Sequence, residues 1–587
     1  MSVLLVLSTL LTPVFAQSNL KLLFTVPYGV TDVAVSADGR YVAAVNDTSL
    51  TYYSVDEGSL LWWFNSTIIE YCYTYNMSIL SVVISADGEY VAIGYGDQYR
   101  NGGVSYFNGS KSRSGRVVNA TWTHFYTNSS KSQSGDVYKR CLDISNDGET
   151  ITVAGTGDSV YYFANCTEKT GLNDHQYDWN WHVFKGELTC LDMTPDGNYF
   201  VVAGADAPDY GSSIRLNFTV AYFNSTYCRW INSYTWYGKA WDIAISDDGA
   251  GVCVGYTNSN TSQSGVMYWN NSNTAENIAV PDQNNPASWY YYEAMQRQTT
   301  VAMSEDGEKV LGGSNGTSTL YYWIDSSSNN GSSNPEWSRN IAVLDVSLSE
   351  NGGIGAATTV EDNPYIRVLD NGNNSLSFYK LNHEGRFISI SRNGVIIAVG
   401  SSSDSSLSVF KLEDATVTTC TDTGDAGFTV DQGGIANLEA VGEDELPEEG
   451  KPLLDYVHGF FTFNITGVDD GTTVNITITF PEPVPEGTMY CKFGQTPNNT
   501  EPHYYLIPIG SDDGDNVIWI TITDGDTGDN DLTVNGVIID DGGPGSPPDP
   551  PIGGSILGNF VLQVYQIILL ITLIIAASMF TLKRRIH

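Results

Sequence analysis

Between Thr31 and Gly400 the chain repeats one pattern: an apolar pair, Ser-x-Asp-Gly or a close variant, two variable positions and another apolar pair. The turns fall at Asp38-Gly39, Asp87-Gly88, Asp147-Gly148, Asp196-Gly197, Asp248-Gly249, Asp306-Gly307, Asn351-Gly352 and Asn393-Gly394. Asp-Gly or Asn-Gly between apolar runs predicts a β-hairpin, since both central residues tolerate φ > 0. The flanking strands, such as Leu80–Ser85 and Tyr90–Gly94, are nearly continuous apolar runs, as expected where neighbours cover both faces. A third, aromatic strand follows each hairpin, for example Leu50–Val55, Ser159–Phe163 and Leu320–Ile324, and a fourth is more variable. The repeat returns after 42 residues at its shortest (351 to 393) and 60 at its longest (87 to 147), and strand-only repeats of that length form propeller blades. Eight hairpins predict an eight-bladed β-propeller over residues 17–414, with seven blades the alternative if one repeat is degenerate. Lys21–Val26 is expected to complete the last blade after Leu412, because an open ring would expose a strand edge.

After Asp414 the pattern becomes one of alternating strands, such as Phe460–Thr466 and Thr473–Phe480, predicting a small β-sandwich over 415–540. A Gly/Pro linker, 541–558, leads to Phe560–Leu582, 23 residues without a charge and long enough to cross about 30 Å of hydrocarbon. This transmembrane segment (559–582) precedes Lys583-Arg584-Arg585 in the tail 583–587, which the positive-inside rule puts in the cytoplasm with the amino-terminal side outside. Leu4–Phe15 followed by Ala16 reads as a signal peptide, 1–16. The fold class expected is all-β, propeller plus sandwich, with one C-terminal transmembrane helix.

The Ser-x-Asp-Gly hairpins resemble WD40-like and quinoprotein-like propellers, although the Gly-His and Trp-Asp signatures of true WD40 repeats are absent. Val55-Asp56-Glu57-Gly58-Ser59-Leu60-Leu61-Trp62 resembles a quinoprotein docking strand, with an echo at Trp337. The segment Gly459–Gly543 resembles the choice-of-anchor U domain of prokaryotic surface proteins. The matching residues include Gly459-Phe460-Phe461-Thr462-Phe463-Asn464, Lys492-Phe493-Gly494-Gln495-Thr496-Pro497 and Asp529-Asn530-Asp531-Leu532-Thr533-Val534-Asn535-Gly536-Val537-Ile538. That resemblance implies a sandwich placed just before a cell-surface anchor.

With 67 acidic against 27 basic residues the net charge is −40, which excludes a nucleic-acid partner needing clustered Lys and Arg. Sequons at Asn46, Asn65, Asn76, Asn108, Asn119, Asn128, Asn165, Asn217, Asn224, Asn260, Asn270, Asn315, Asn330, Asn373, Asn464, Asn475 and Asn498 fit a glycosylated exterior domain, and with the helical anchor they favour an archaeal envelope. Eight cysteines allow many pairings; Cys420 with Cys491, alone in the second domain, is the candidate disulfide there.

Candidate chemistry is sparse. Gly312-Gly313-Ser314-Asn315-Gly316 matches a nucleophile elbow but closes a hairpin where that motif needs a strand-to-helix turn, and no histidine pair has metal-ligand spacing. Asp524, Asp526, Asp529 and Asp531 crowd one loop, which leaves structural Ca²⁺ and metal-free turns both open; no other cofactor is implied. Trp179, Trp181, Trp236, Tyr237, Trp289 and Tyr291 lie in aromatic clusters suited to packing between blades or to a face that binds protein or glycan. The expectation is a membrane-anchored, non-catalytic binding or adhesion protein of the cell surface. A structural coat component is the alternative, and an extracellular quinoprotein-like enzyme is disfavoured.

Overall fold

The computed structural model describes residues 19–548 apart from interior segments, the longest of them 127–140. The expected signal peptide and transmembrane helix lie outside the described residues, among which no helix is long and apolar enough to cross a membrane. Strands hold 57% of the described residues and helices 3%, which makes the described fold all-β.

From Asp32 to Glu413 the strands form consecutive antiparallel four-strand units, most strands pairing with the next in sequence, and the two-residue strands Gly171–Leu172 and Gly331–Ser332 add in parallel to the outer strands Trp122–Tyr126 and Trp289–Glu293. Asp32–Val35, Tyr41–Val45, Ser49–Ser54 and Ser59–Asn65 make the first. Two later sheets are joined by Cys228–Ile245, an 18-residue strand whose first half is outermost in one and whose second half is innermost in the next. The last sheet has only three local strands, Phe387–Ile390, Ile396–Ser401 and Ser406–Glu413. Its fourth is Asn19–Val26, antiparallel to Ser406–Glu413 with Leu20 opposite Leu412 and Val26 opposite Leu407. The amino-terminal strand therefore closes the ring of a β-propeller, as its sequence predicted. Apolar side chains pack between consecutive sheets: Ala43, Tyr52 and Trp62 of the first bury against Ile79, Val91 and Ile93 of the second.

The hairpin turns share one set of contacts. Buried Ser36 donates from Oγ to Asp38 Oδ1 at 2.6 Å and accepts the Tyr41 N–H at 3.0 Å, while Asp38 Oδ1 accepts the Arg40 N–H at 3.0 Å. Ser391 and Asn393 repeat this in the last turn. Gly39 has φ +73°, whereas Asp38 is not among the described residues with positive φ. The turn is thus a type I turn ending in one left-handed glycine, a correction to the expectation of two central residues at φ > 0. The residue before each Asp links turn to turn. Ala86 N–H donates to Asn146 O, Asn146 to Pro195, Asp247 to Glu305, Glu305 to Glu350, Glu350 to Arg392 and Arg392 to Ala37, at 2.7–3.2 Å, and Asp38 N–H returns to Ala86 O. The belt breaks only at Pro195, which has no N–H to give.

Beyond the propeller two sheets face each other. One holds Ala415–Thr418, Asp425–Val430, Thr473–Thr479 and Val517–Thr523; the other holds Gly434–Val441, Phe460–Thr466, Val537–Gly545, Met489–Thr496 and Asn499–Ile507. Phe428, Phe461, Phe463, Ile476, Ile520 and Ile538 fill the space between them. The strand Val537–Gly545 runs past the boundary expected at 540, so the start of the supposed linker is sheet. Its glycines explain the misreading: a Cβ on Gly543 would sit 2.3 Å from Gly459 O, so they serve close packing rather than flexibility.

The two domains touch. Asn19 Nδ2 donates to Ile435 O at 3.0 Å and Asn19 Oδ1 accepts the Ile435 N–H at 2.6 Å; Lys380 Nζ lies 3.2 Å from Asp469 and 3.6 Å from Asp470. A cleft of about 350 Å³ opens beside this contact, lined by Tyr379, Phe410, Ser408, Gly467 and Asn535 among others.

Candidate functional site

In six of the propeller sheets a tyrosine on the third strand and a tryptophan on the fourth form one unit. Tyr52 stacks on Trp62 at 5.0 Å, Tyr106 on Trp122 at 5.3 Å, Tyr162 on Trp179 at 5.2 Å, Tyr222 on Trp230 at 5.4 Å, Tyr268 on Trp289 at 5.3 Å and Tyr322 on Trp337 at 5.1 Å. Each tyrosine hydroxyl donates to the carbonyl of the next turn's glycine, from Tyr52 to Gly88 O at 2.7 Å round to Tyr322 to Gly352 O at 2.7 Å. Each indole N–H donates to a carbonyl in the following sheet's outer loop: Ser110, Cys166, Ser225, Ser272, Ser326 and Asn371. The pair is a latch between neighbours, with both polar tips satisfied and the rings packed against apolar strands, fully buried at four of the six tryptophans and half-buried at Trp179 and Trp337. The tryptophans singled out at 62 and 337 therefore have fourth-strand counterparts in four more sheets, without the surrounding motif.

This places most of the expected ligand-binding aromatics. Trp289 is fully buried in its latch, and Trp179 is half-buried in its own. Trp236 is half-buried, stacked on Phe218 at 4.8 Å and beside Tyr256 at 5.4 Å. Tyr291 leans on Tyr321 at 5.0 Å and Trp323 at 5.5 Å. All four rings take part in packing between strands, Trp289 completely and the other three with part of the ring left at the surface. The backbones of Trp181 and Tyr237 pair with Val160 and Asn217; their side chains lie outside the described residues. The exposed rings of this cluster are instead Tyr290 (41%) and Tyr292 (50%), on the same strand as Trp289 and stacked on each other at 6.1 Å; Tyr73 (76%) and Trp519 (44%) are also exposed.

The other expected sites do not assemble. Asp524 Oδ2 accepts the N–H groups of Gly471 and Gly536, Asp529 those of Gly525 and Ile539, and Asp531 Oδ1 that of Thr533. Asp526 Oδ1 accepts the Thr527 N–H. The four carboxylates hold the loop by amide contacts and do not converge as a ligand set among the described residues. Cys420 is exposed while Cys491 is buried beside Tyr456 and Phe460, and no disulfide joins them. Among the sequons, Asn46, Asn65 and Asn224 each accept the N–H of their own +2 threonine through Oδ1, whereas Asn270 spends Nδ2 on Ser327 O.

Two charged arrangements appear that the sequence reading missed. On the innermost strands, aspartates tie each sheet to the next: Asp143 Oδ2 accepts the Met193 N–H at 2.9 Å, Asp192 Oδ2 the Ile245 N–H at 2.8 Å and Asp242 Oδ2 the Val301 N–H at 2.9 Å. Burial pushes the Asp143 carboxyl up to about 6; burial, and then the adjacent Asp143, raises Asp192 well above the usual carboxylate range. At the turns, Arg392 reaches Asp247 at 2.6 Å and Glu305 at 3.7 Å and meets Glu350, drawing side chains from four consecutive sheets together. These are the residues just before the Asp or Asn of four successive turns, so aligning that column would have found them. Burial and the neighbouring Glu305 raise Glu350 to about 7. The guanidinium already occupies the point where the three carboxylates converge, so the group is an ionic plug across the turn end of the ring.

No family model matches the chain, and no curated protein matches it. Among solved structures, the C-terminal WD40 domain of Sif2 is similar at 12% identity and a TM-score of 0.46, over 67% of this chain and 98% of that one.

Proposed function

We propose that this chain is a single-pass cell-surface protein whose eight-bladed propeller binds an extracellular protein or glycan without catalysing a reaction. In this reading the sandwich is a choice-of-anchor U-like module, the helix Phe560–Leu582 is the anchor and the sequon asparagines carry sugar. The observation that carries the binding role is the stacked pair Tyr290 and Tyr292. They are solvent-exposed on an outer strand of a ring whose latch aromatics are turned inward. Rigid, amphipathic rings at a surface give contact area at low entropic cost. The non-catalytic reading is supported by how the polar groups are used: turn aspartates on amides, indoles on carbonyls and Arg392 on its carboxylates.

Protease treatment of intact cells should release fragments from residues 19–548 and leave the 583–587 tail protected. Release only after lysis would overturn the topology. Binding of the purified ectodomain to glycan arrays and to surface extracts should fall at least about tenfold in the Tyr290→Ala/Tyr292→Ala double variant, since truncated hot-spot aromatics cost about 2 kcal/mol or more. Regular lattices in purified envelopes, with no loss of binding in that variant, would favour the coat reading instead.

A further inference from the structure

The sandwich buries an amine against a carboxyl group. Lys492, on Met489–Thr496, and Asp540, on Val537–Gly545, both have 0% side-chain exposure. The strands are hydrogen-bonded neighbours with Lys492 opposite Gly542, so Lys492 and Asp540 lie on one face of the sheet, diagonal to each other. Lys492 Nζ donates to Asp540 Oδ1 and to Gly528 O, two acceptors among the described residues for three N–H donors. The second oxygen, Asp540 Oδ2, accepts the hydroxyl of Tyr490 at 3.0 Å, and Tyr490 is itself fully buried. Tyr505 stands opposite Lys492 on the adjoining strand.

Such a pair is costly as two ions. Each loses several kcal/mol of hydration, and their attraction offsets this only when every donor and acceptor is used. Burial accordingly raises the Asp540 carboxyl above its usual range, against the lowering effect of the Lys492 ammonium. In a medium of low dielectric the neutral pair, amine and carboxylic acid, gains on the ionic one. A neutral amine in contact with a neutral carboxyl group has the composition of an amide plus water.

We propose that Lys492 and Asp540 condense to an intramolecular amide, cross-linking the final strand of the sandwich to its neighbour. The ammonium first passes a proton to Asp540 Oδ1 across their contact. The freed lone pair on Nζ attacks Cγ, and the charge developing on Oδ2 is held by the Tyr490 hydroxyl, which is placed as an oxyanion donor. A second proton moves from Nζ to Oδ1, the Cγ–Oδ1 bond breaks and one water leaves. Atoms and charge balance, with no oxidant or second reactant needed. Burial keeps bulk water from reversing the step.

The inference does not depend on the binding role of the propeller, and its test reads only the sandwich. The full chain is purified, denatured and digested with trypsin, which cuts after a free lysine but not after an acylated one. The bond after Lys492 should resist cleavage, and the peptide spanning 492 and 540 should be lighter than its sequence by one water. Lys492→Arg should restore cleavage and full mass. Asp540→Ala, which removes the carboxyl group, should likewise restore cleavage after residue 492 and full mass. Tyr490→Phe should slow the appearance of the lighter form in freshly made protein. Wild-type chain that is cut normally after residue 492 and has full mass overturns the proposal without recourse to any variant.

Discussion

Each latch residue has a separable share of stability. Tyr268→Phe keeps the ring and removes one hydrogen bond to Gly307 O, so it should cost about 1 kcal/mol in urea unfolding. Trp289→Ala removes a fully buried indole and should cost about 3–5 kcal/mol, while Tyr290→Ala, one residue away but exposed, should stay within about 0.5 kcal/mol. Equal effects at 289 and 290 would contradict the inward and outward assignment. The Asp143–Asp192 pair predicts a pH effect of definite sign. Both carboxyls are raised, so the folded state holds protons that the unfolded chain has released. Their contribution is full below the ordinary aspartate value of about 4 and is lost as pH rises through about 6. Asp192→Asn removes the coupling and should flatten the fall in stability over that window. A denaturation series at several pH values with unchanged slope would refute the assignment.

Much of the element scale was legible in the sequence because its determinants are local. Ser-x-Asp-Gly carries its own bonding scheme, and the apolar runs on either side name the strands. The closing strand was legible for a different reason, since the last sheet lacked a fourth member and an unclaimed apolar run preceded the first hairpin. The latch was hidden because the offset from tyrosine to tryptophan varies, from 8 positions (222 to 230) to 21 (268 to 289), which breaks any fixed spacing. The Arg392 plug and the Lys492–Asp540 contact were hidden because they depend on which turns or strands become neighbours in space. Gly542, Gly543 and Gly545 were misread since glycine marks a linker and a tightly packed strand alike. At this scale Gly249→Ala is a sharp probe. The residue has φ +73°, and a Cβ would lie 2.6 Å from the Tyr222 hydroxyl. It should destabilise by more than about 1 kcal/mol through backbone strain together with a displaced latch, measured as a lowered unfolding midpoint.

For the whole molecule, the junction between propeller and sandwich draws on Tyr365, Ser377, Phe378 and Lys380 and on one residue of the ring-closing strand, Asn19. Asn19 is buried and bonds both backbone groups of Ile435. Asn19→Ala leaves that donor and acceptor without their partner and should cost about 1–3 kcal/mol. Calorimetry should show one shared transition in the parent chain separating into two in the variant. A single transition at an unchanged temperature would mean that the domains are not coupled through this residue.

The position of Val537–Gly545 has a mechanical consequence. It is an interior strand, bonded on one side to Phe460–Thr466 and on the other to Met489–Thr496, and the chain leaves the domain at its far end. The two rows follow one another along the strand, 542–545 against Met489–Thr496 and 537–542 against Phe460–Thr466, so a pull along its axis would load them in shear. Shear along a strand meets more hydrogen bonds together than peeling from a free edge does.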